Sequence, residues 1–190
     1  MGAITRTLGG VSGTVSLAGL SKANRDRVAE ILKSSQLFRE DEVDVALELF
    51  DQSVGNESET KEQDYTFVGI YTADRELVGF TCYGPTPDTD RTYDLYWIAV
   101  DQAAQGLGSG TILLAEVERR LKEKEARLVV VETSSRPDYE GTRNFYLRRG
   151  YVEAARVTDF YGPSDGRVIF TKRLPGNRPR REAHGVMSHE

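Results

Sequence analysis

Gly106, Gly108 and Gly110 stand at alternate positions between a strand-like run and a helix-like run, and the chemistry of this chain starts there. The stretch Trp97-Ile98-Ala99-Val100-Asp101-Gln102-Ala103-Ala104-Gln105-Gly106-Leu107-Gly108-Ser109-Gly110-Thr111 reads as a strand end, a glycine-rich turn and the opening of a long amphipathic helix. Such glycines let bare backbone approach a ligand. The first N–H groups of a helix have no partner within it, and with the helix dipole they make an anion site suited to phosphate. Three phosphate-binding patterns compete. A P-loop needs Lys and Ser/Thr after its last glycine, whereas Thr111-Ile112 follows Gly110 and no Lys is in reach. A dinucleotide turn needs G-x-G-x-x-G, and this is G-x-G-x-G. The third pattern, Q/R-x-x-G-x-G/A, is met by Gln105, Gly108 and Gly110. A tight strand–helix turn that holds no ligand is the plain alternative.

The elements that must position this turn follow from hydrophobic periodicity. Residues 1–13 are rich in Gly, Thr and Ser without a clear period, so a loose segment is expected there. A short strand is expected at Thr14-Val15-Ser16-Leu17. Ser21 then caps a helix carrying Val28, Ile31 and Leu32 on one face. A second helix follows Arg39. Its acidic opening, Glu40-Asp41-Glu42, suits the positive end of the dipole, and Val43, Ala46, Leu47, Phe50 and Val54 mark its buried stripe. Residues 65–71 and 77–83 read as a hairpin, and Tyr93 to Val100 as a third strand of that block. Gly108 to about Ala126 is a long helix. Leu128-Val129-Val130-Val131 is a buried strand, and Tyr139 to Arg149 a helix stopped by Gly150. Val152 to Val157 and Val168 to Phe170 close the fold. From Pro175 the chain is Pro, Gly, Arg and Glu with few apolar residues, so residues 175–190 are expected to form a disordered tail. The fold class is a mixed α/β (α+β) domain over residues 14–174, in the order β-α-α-β-β-β-α-β-α-β-β.

Composition narrows the function. The chain has 190 residues, enough for one domain, and its apolar share of 38% suffices for one packed core. The net charge is −5, and Lys172 onward holds five basic against two acidic residues, so the body is more acidic still. Such a body does not look like a nucleic-acid binder, which needs a basic face. The single cysteine, Cys82, excludes an intramolecular disulfide and Cys-rich zinc modules. It is expected to be a buried small hydrophobe within its strand. Both histidines, His184 and His189, lie in the tail, so neither a metal site nor a His-based triad is expected in the body. No run approaches the length of a membrane span, no apolar secretion signal opens the chain, and Thr5 misses the spacing for myristoylation of Gly2. A cytoplasmic protein without a membrane partner is expected, and the sequence leaves a homo-oligomer open.

The glycine turn resembles the pyrophosphate turn of the GNAT superfamily of acyl-CoA-dependent N-acyltransferases. Two further blocks agree. Tyr93-Asp94-Leu95-Tyr96-Trp97-Ile98-Ala99-Val100-Asp101 is similar to the strand before the turn in that superfamily. Asn144-Phe145-Tyr146-Leu147-Arg148-Arg149-Gly150-Tyr151 is similar to its second signature, an aromatic-Tyr pair before Gly-aromatic. The element order fits over roughly residues 14–174. Where the family often has Asn seven residues before its Tyr and Ala four before it, this chain has Tyr139 and Thr142. The loop Glu132 to Asp138 is also a few residues long and is expected to shape the acceptor pocket instead.

This resemblance implies acetyl transfer from acetyl-CoA, as cosubstrate and without a metal, to a primary amine of a small molecule or amino acid. A catalytically silent acyl-CoA-binding regulatory domain is the alternative. A nucleotide-hydrolysing domain is disfavoured by the missing Lys. The resemblance places the pantetheine arm on the backbone of Ile98 and Val100, and the pyrophosphate on Gln105, Gly106, Leu107, Gly108, Ser109, Gly110 and Thr111. It makes Tyr146 the general acid at the CoA sulfur. Phe145 is expected to fill the core and leave Tyr146 at the helix edge. Two carboxylates could take the proton from the amine. Asp94 lies four residues before Ile98, on the same face if the strand is regular. Glu132 ends the next, parallel strand, where burial would suit a base and an ion pair would not. Acidic groups there favour a cationic acceptor. Trp97 is expected to pack. The link Asp159 to Gly166 is expected to be an ordinary hairpin loop, the functional alternative having Tyr161 and Asp165 line the acceptor site. The basic tail, Arg178 to Arg181, is expected to be solvated.

Overall fold

The computed structural model describes residues 3–4, 14–55 and 65–175. The chain order is β1 (Ala3–Ile4), β2 (Val15–Gly19), α1 (Arg25–Ser34), α2 (Glu40–Gly55), β3 (Thr66–Tyr71), β4 (Leu77–Pro85), β5 (Thr92–Val100), α3 (Ser109–Glu123), β6 (Leu128–Ser134), α4 (Glu140–Leu147), β7 (Val152–Gly162) and β8 (Asp165–Arg173). The expected series of seven strands and four helices is present. One strand is added: β1 pairs antiparallel with β2 through Ala3–Ser16 and Ile4–Val15, inside the segment expected to be loose. Two residues are too few to carry a period. The expectations for the tail beyond residue 175, with Arg178 to Arg181 and both histidines, lie outside the described residues.

Local chemistry explains the helix ends. The Ser21 N–H donates to Asn24 Oδ1 at 2.9 Å, and a short 3-10 turn leads into α1. The Arg39 N–H donates to Glu42 Oε2 at 2.8 Å at the start of α2. Gly150, at φ +80°, takes the left-handed conformation that stops α4, and the Tyr151 N–H returns to the Tyr146 carbonyl at 3.2 Å.

The strands form one sheet in the order β1-β2-β3-β4-β5-β6-β8-β7, with helices on both faces. One core lies under α3 and α4, with Leu113, Val117, Leu121, Val129, Val131, Tyr146 and Phe170. The other lies under α1 and α2, with Val28, Ile31, Phe50, Phe67, Phe80 and Cys82. Cys82 is fully buried, and burial pushes its thiol up, which suits the expected packing role.

Two irregularities in β5 shape the site. β5 and β6 run parallel but pair only from Thr92–Leu128 to Leu95–Val131. Beyond that point Tyr96–Val100 and Glu132–Ser134 do not pair with each other, and β8 stays with β6 as far as Ser134–Arg167. The sheet therefore splits between β5 and β6. The second irregularity is a bulge: Cys82 faces Trp97 and Tyr83 faces Leu95, so Tyr96 is an extra residue on β5. Leu95 and Ile98 consequently join the α3 side, whereas Tyr96, Trp97 and Ala99 join the α2 side. The strand is not regular, and Asp94 and Ile98 lie on opposite faces rather than on the same one.

The closing hairpin is longer than expected. β7 and β8 extend to Gly162 and Asp165, so only Pro163 and Ser164 make the turn. β7 is an edge strand exposed almost throughout, and its residues show no alternation by which its length could be read.

Candidate active site

The glycine turn has the conformation its sequence demands. Gly106 and Gly108 have φ of +75° and +92°, a region that disfavours side chains, and Gly108 caps α3. Gly110 is helical, but a Cβ there would stand 3.4 Å from the Phe145 ring. Gln105 Nε2 donates to the Val100 carbonyl at 3.3 Å and ties the turn to the strand end. Ser109, in the first turn of α3, is 1% exposed and its hydroxyl has no partner among the described residues. An orphaned hydroxyl beside free helical N–H groups fits a phosphate-bearing ligand.

A cavity of about 570 Å³ opens at this turn. Of the nine positions expected to meet the cofactor, Leu107 alone is not in its wall: Ile98 and Val100 line it, as do Gln105, Gly106, Gly108, Ser109, Gly110 and Thr111. Tyr146 also lines it, but the packing is the reverse of the one expected. Tyr146 is 4% exposed within the core, ringed by Phe145, Tyr151 and Phe170, whereas Phe145 is half-buried against Gly110. The two side chains do face different ways, as a helix requires, and Phe145 is drawn outward because Gly110 leaves room for its ring. Burial pushes the Tyr146 phenol up, so it holds its proton.

A second cavity, of about 370 Å³, lies on the α2 side of the split. Asp94 and Glu132 both line it, one from each edge of the split, together with Asp41, Glu42 and Asp165. Three guanidinium groups stand against these five carboxylates, Arg39 and Arg136 in the wall and Arg167 paired with Glu132. Trp97, Tyr96, Tyr139 and Tyr161 give it aromatic walls. Tyr161 and Asp165 thus line this cavity, from a β7–β8 hairpin whose turn is tighter than the loop expected. Trp97 packs on the α2 core and also faces the cavity.

The two base candidates differ. Asp94 accepts a hydrogen bond from Thr86 Oγ1 at 2.7 Å and has no cationic partner among the described residues. Glu132 is 36% exposed and paired with Arg167, its diagonal neighbour on β8, so the burial that would suit a base is absent. Asp165 accepts from Ser134 Oγ at 2.5 Å.

Several residues of the site escape sequence reasoning. Phe38, in the link between α1 and α2, lines both cavities. The 134–139 loop is anchored from outside: Tyr139 Oη and Arg136 Nη2 donate to the Leu37 carbonyl at 3.0 and 3.3 Å, and Arg143 Nη1 to the Ser134 and Arg136 carbonyls at 2.8 and 2.9 Å. Burial raises the Tyr139 phenol to about 12. Arg149 reaches the first turn of α3. The sequence marks the 134–139 loop but not what anchors it, and no local pattern marks Phe38 or Arg149, which act through distant parts of the chain.

The model of the acetyltransferase (GNAT) family matches residues 26–151. Among solved structures, the chain is similar to a protein assigned to the GNAT acetyltransferases from Desulfovibrio desulfuricans, at 36% identity and TM-score 0.77 over 85% of this chain and 99% of that one. It shares its fold with the ribosomal-protein-S18-alanine N-acetyltransferase of Escherichia coli, at 15% identity and TM-score 0.69 over 87% and 97% of the two chains. It also shares its fold with the PaiA N-acetyltransferase of Thermoplasma acidophilum, solved in complex with coenzyme A, at 19% identity and TM-score 0.62 over 84% and 98%. No curated protein matches the sequence. Among the described residues no helix is long and apolar enough to cross a membrane, and no three His, Cys, Asp or Glu side chains gather to hold a metal ion.

Proposed function

Because this chain belongs to the acetyltransferase (GNAT) family, we propose that it transfers an acetyl group from acetyl-CoA directly to a primary amine of a small molecule or amino acid. One observation carries the reading: the split between β5 and β6 lies between a cavity at a phosphate-type turn and an acidic, aromatic cavity. Acetyl-CoA supplies the activated acyl group, and the protein supplies position and proton transfer.

The turn from Gln105 to Thr111, Leu107 apart, offers helix N–H groups and the Ser109 hydroxyl to the pyrophosphate. Ile98 and Val100 lie past the point where β5 leaves β6, so their backbone can bond the pantetheine arm, and an N–H there can polarise the thioester oxygen. An alkylammonium has a pKa of about 10.4, so the acceptor must lose a proton at neutral pH. Asp94 is the base, directly or through water, since no cation among the described residues competes for it; Glu132 is the second candidate. Tyr146 returns a proton to the departing thiolate, and its buried phenol is in the protonated form that this requires. Five carboxylates against three guanidinium groups, Arg167 on Glu132 included, favour an acceptor that is cationic overall. The reaction needs no metal, and a cytoplasmic setting belongs to the same proposal.

The test is a thiol-release screen of purified protein with acetyl-CoA against amines, polyamines, amino acids, aminoglycosides and peptides. Release with cationic acceptors, and little with anionic ones, is the expected result. CoA binding without release across the whole panel would make the protein a silent acyl-CoA-binding domain.

A further inference from the structure

Arg149 sits one residue before the glycine that ends α4 and reaches across to α3. Its Nη2 donates to Thr111 Oγ1, in the first turn of α3, and its Nη1 to the Phe145 carbonyl at 2.9 Å. The guanidinium lies 3.7 Å over the Phe145 ring, the same ring that fills the space left by Gly110. The side chain is thereby held in one place, against the wall of the turn cavity, which it lines beside Arg148.

The group is held but not neutralised. Among the described residues Arg149 has no carboxylate partner, in contrast to Arg27, Arg119, Arg120 and Arg167. A guanidinium has five N–H donors, and the two bonds above use two of them. Among the described residues its Nε is buried without a partner, as is the Ser109 hydroxyl on the helical turn of Thr111. Burial, followed by the neighbouring charge of Arg148, pushes the guanidinium down from its usual range, a cost that a bound anion would offset. A fixed cation, an orphaned hydroxyl and the N-terminus of a 15-residue helix converge on one turn.

We propose that Arg149 is a binding residue for the pyrophosphate of the acyl donor, so that this chain selects donors by their phosphate charge as well as by their pantetheine arm. The inference rests on the glycine turn being the donor's phosphate site. Thr111 and Phe145 preorganise the fork, and a charge-assisted bond from it to phosphate is stronger than one from neutral donors. The same contacts would also fit a mere staple between α3 and α4, and charge separates the two roles. A staple depends on the planar fork, which Lys cannot reproduce, whereas phosphate binding needs the positive charge, which Lys keeps.

The experiment is calorimetry on the native chain, Arg149→Gln and Arg149→Lys, titrated with CoA, dephospho-CoA and pantetheine, with melting temperatures recorded for each protein. The expected result is that Arg149→Gln weakens CoA and dephospho-CoA alike by at least roughly tenfold, leaves pantetheine within about twofold, and that Arg149→Lys recovers most of the loss. An equal loss for all three ligands, or no recovery with Lys, would overturn the proposal in favour of the staple. A loss confined to CoA would overturn it too, by placing the guanidinium at the 3′-phosphate. If the native chain binds CoA and Arg149→Gln binds it equally well, this inference alone falls. If the native chain binds no CoA, the reading of the turn itself falls.

Discussion

Asp94 and Ile98 stand four residues apart on one strand and face opposite sides of the sheet, because Tyr96 is an extra residue between them. The bulge gives β5 two tasks. Its α3 side meets the glycine-turn cavity through Ile98 and Val100, and its α2 side meets the acidic cavity through Asp94. The split from β6 lies beside this reversal. In the proposed reaction, a carboxylate for the amine and a backbone wall for the thioester would lie on the two faces of one strand.

Deprotonation of the acceptor by Asp94 makes a claim about pH. Asp94→Asn keeps the shape and removes the carboxylate, and it should flatten the acidic limb of the kcat/KM profile. Glu132→Gln should leave that limb in place, since its carboxylate is already held by Arg167. If the Asn variant keeps the native profile, the base is Glu132 or water.

Gly108→Asp places a side chain at φ +92° and a negative charge where phosphate should lie. CoA affinity by calorimetry should fall at least tenfold, about 1.4 kcal/mol. Unchanged affinity in a folded variant would move the donor site away from this turn.

Tyr146→Phe should lower kcat by roughly ten- to a thousandfold, at or below the usual range for acid–base catalysis. A thiolate leaves without help more readily than an alkoxide, its thiol having a pKa near 8.5, so the loss should be partial. CoA affinity should change little. Because burial raises the phenol, any alkaline limb due to Tyr146 should lie above its ordinary value of about 10. A normal kcat in the variant would remove the role.

The helix that carries the turn has its own pH signature. Glu116, 6% exposed on α3, accepts from Arg119 and Arg120, and these partners lower its carboxyl to about 2. A depressed carboxylate stabilises the fold above its unfolded value, and that stability is lost as pH falls toward the folded one. Glu116→Gln should therefore cost on the order of 2 kcal/mol at neutral pH, with the difference from the native chain shrinking between about pH 4.5 and pH 2. A difference in melting temperature that stays constant over that window would contradict the ion-pair account.

Much of the site is legible in the sequence, and the remainder is not for identifiable reasons. The turn is legible because its glycines have conformational and steric causes: positive φ at 106 and 108, and the Phe145 ring against 110. The bulge at Tyr96 is invisible, since Leu95, Tyr96 and Trp97 suit a regular strand equally well. The adjacency of Phe145 and Tyr146 requires that they diverge, but which one faces inward depends on the space beside Gly110, on another helix. Tyr161 and Asp165 reach the acidic cavity because β7 and β8 run on past the expected hairpin, and Asp165 meets Ser134 across the sheet. Arg149 has no separate role in the sequence, and its contact with Thr111 appears only when α4 is laid against α3.

The central claim is that donor and acceptor are bound at once, on either side of the split between β5 and β6, and that the acetyl group passes directly between them. Initial rates with acetyl-CoA and the best amine from the screen, both varied, test this most directly. The account predicts intersecting double-reciprocal lines, the pattern of a ternary complex. Parallel lines, with an acetylated chain after incubation with acetyl-CoA alone, would show a covalent intermediate and contradict direct transfer.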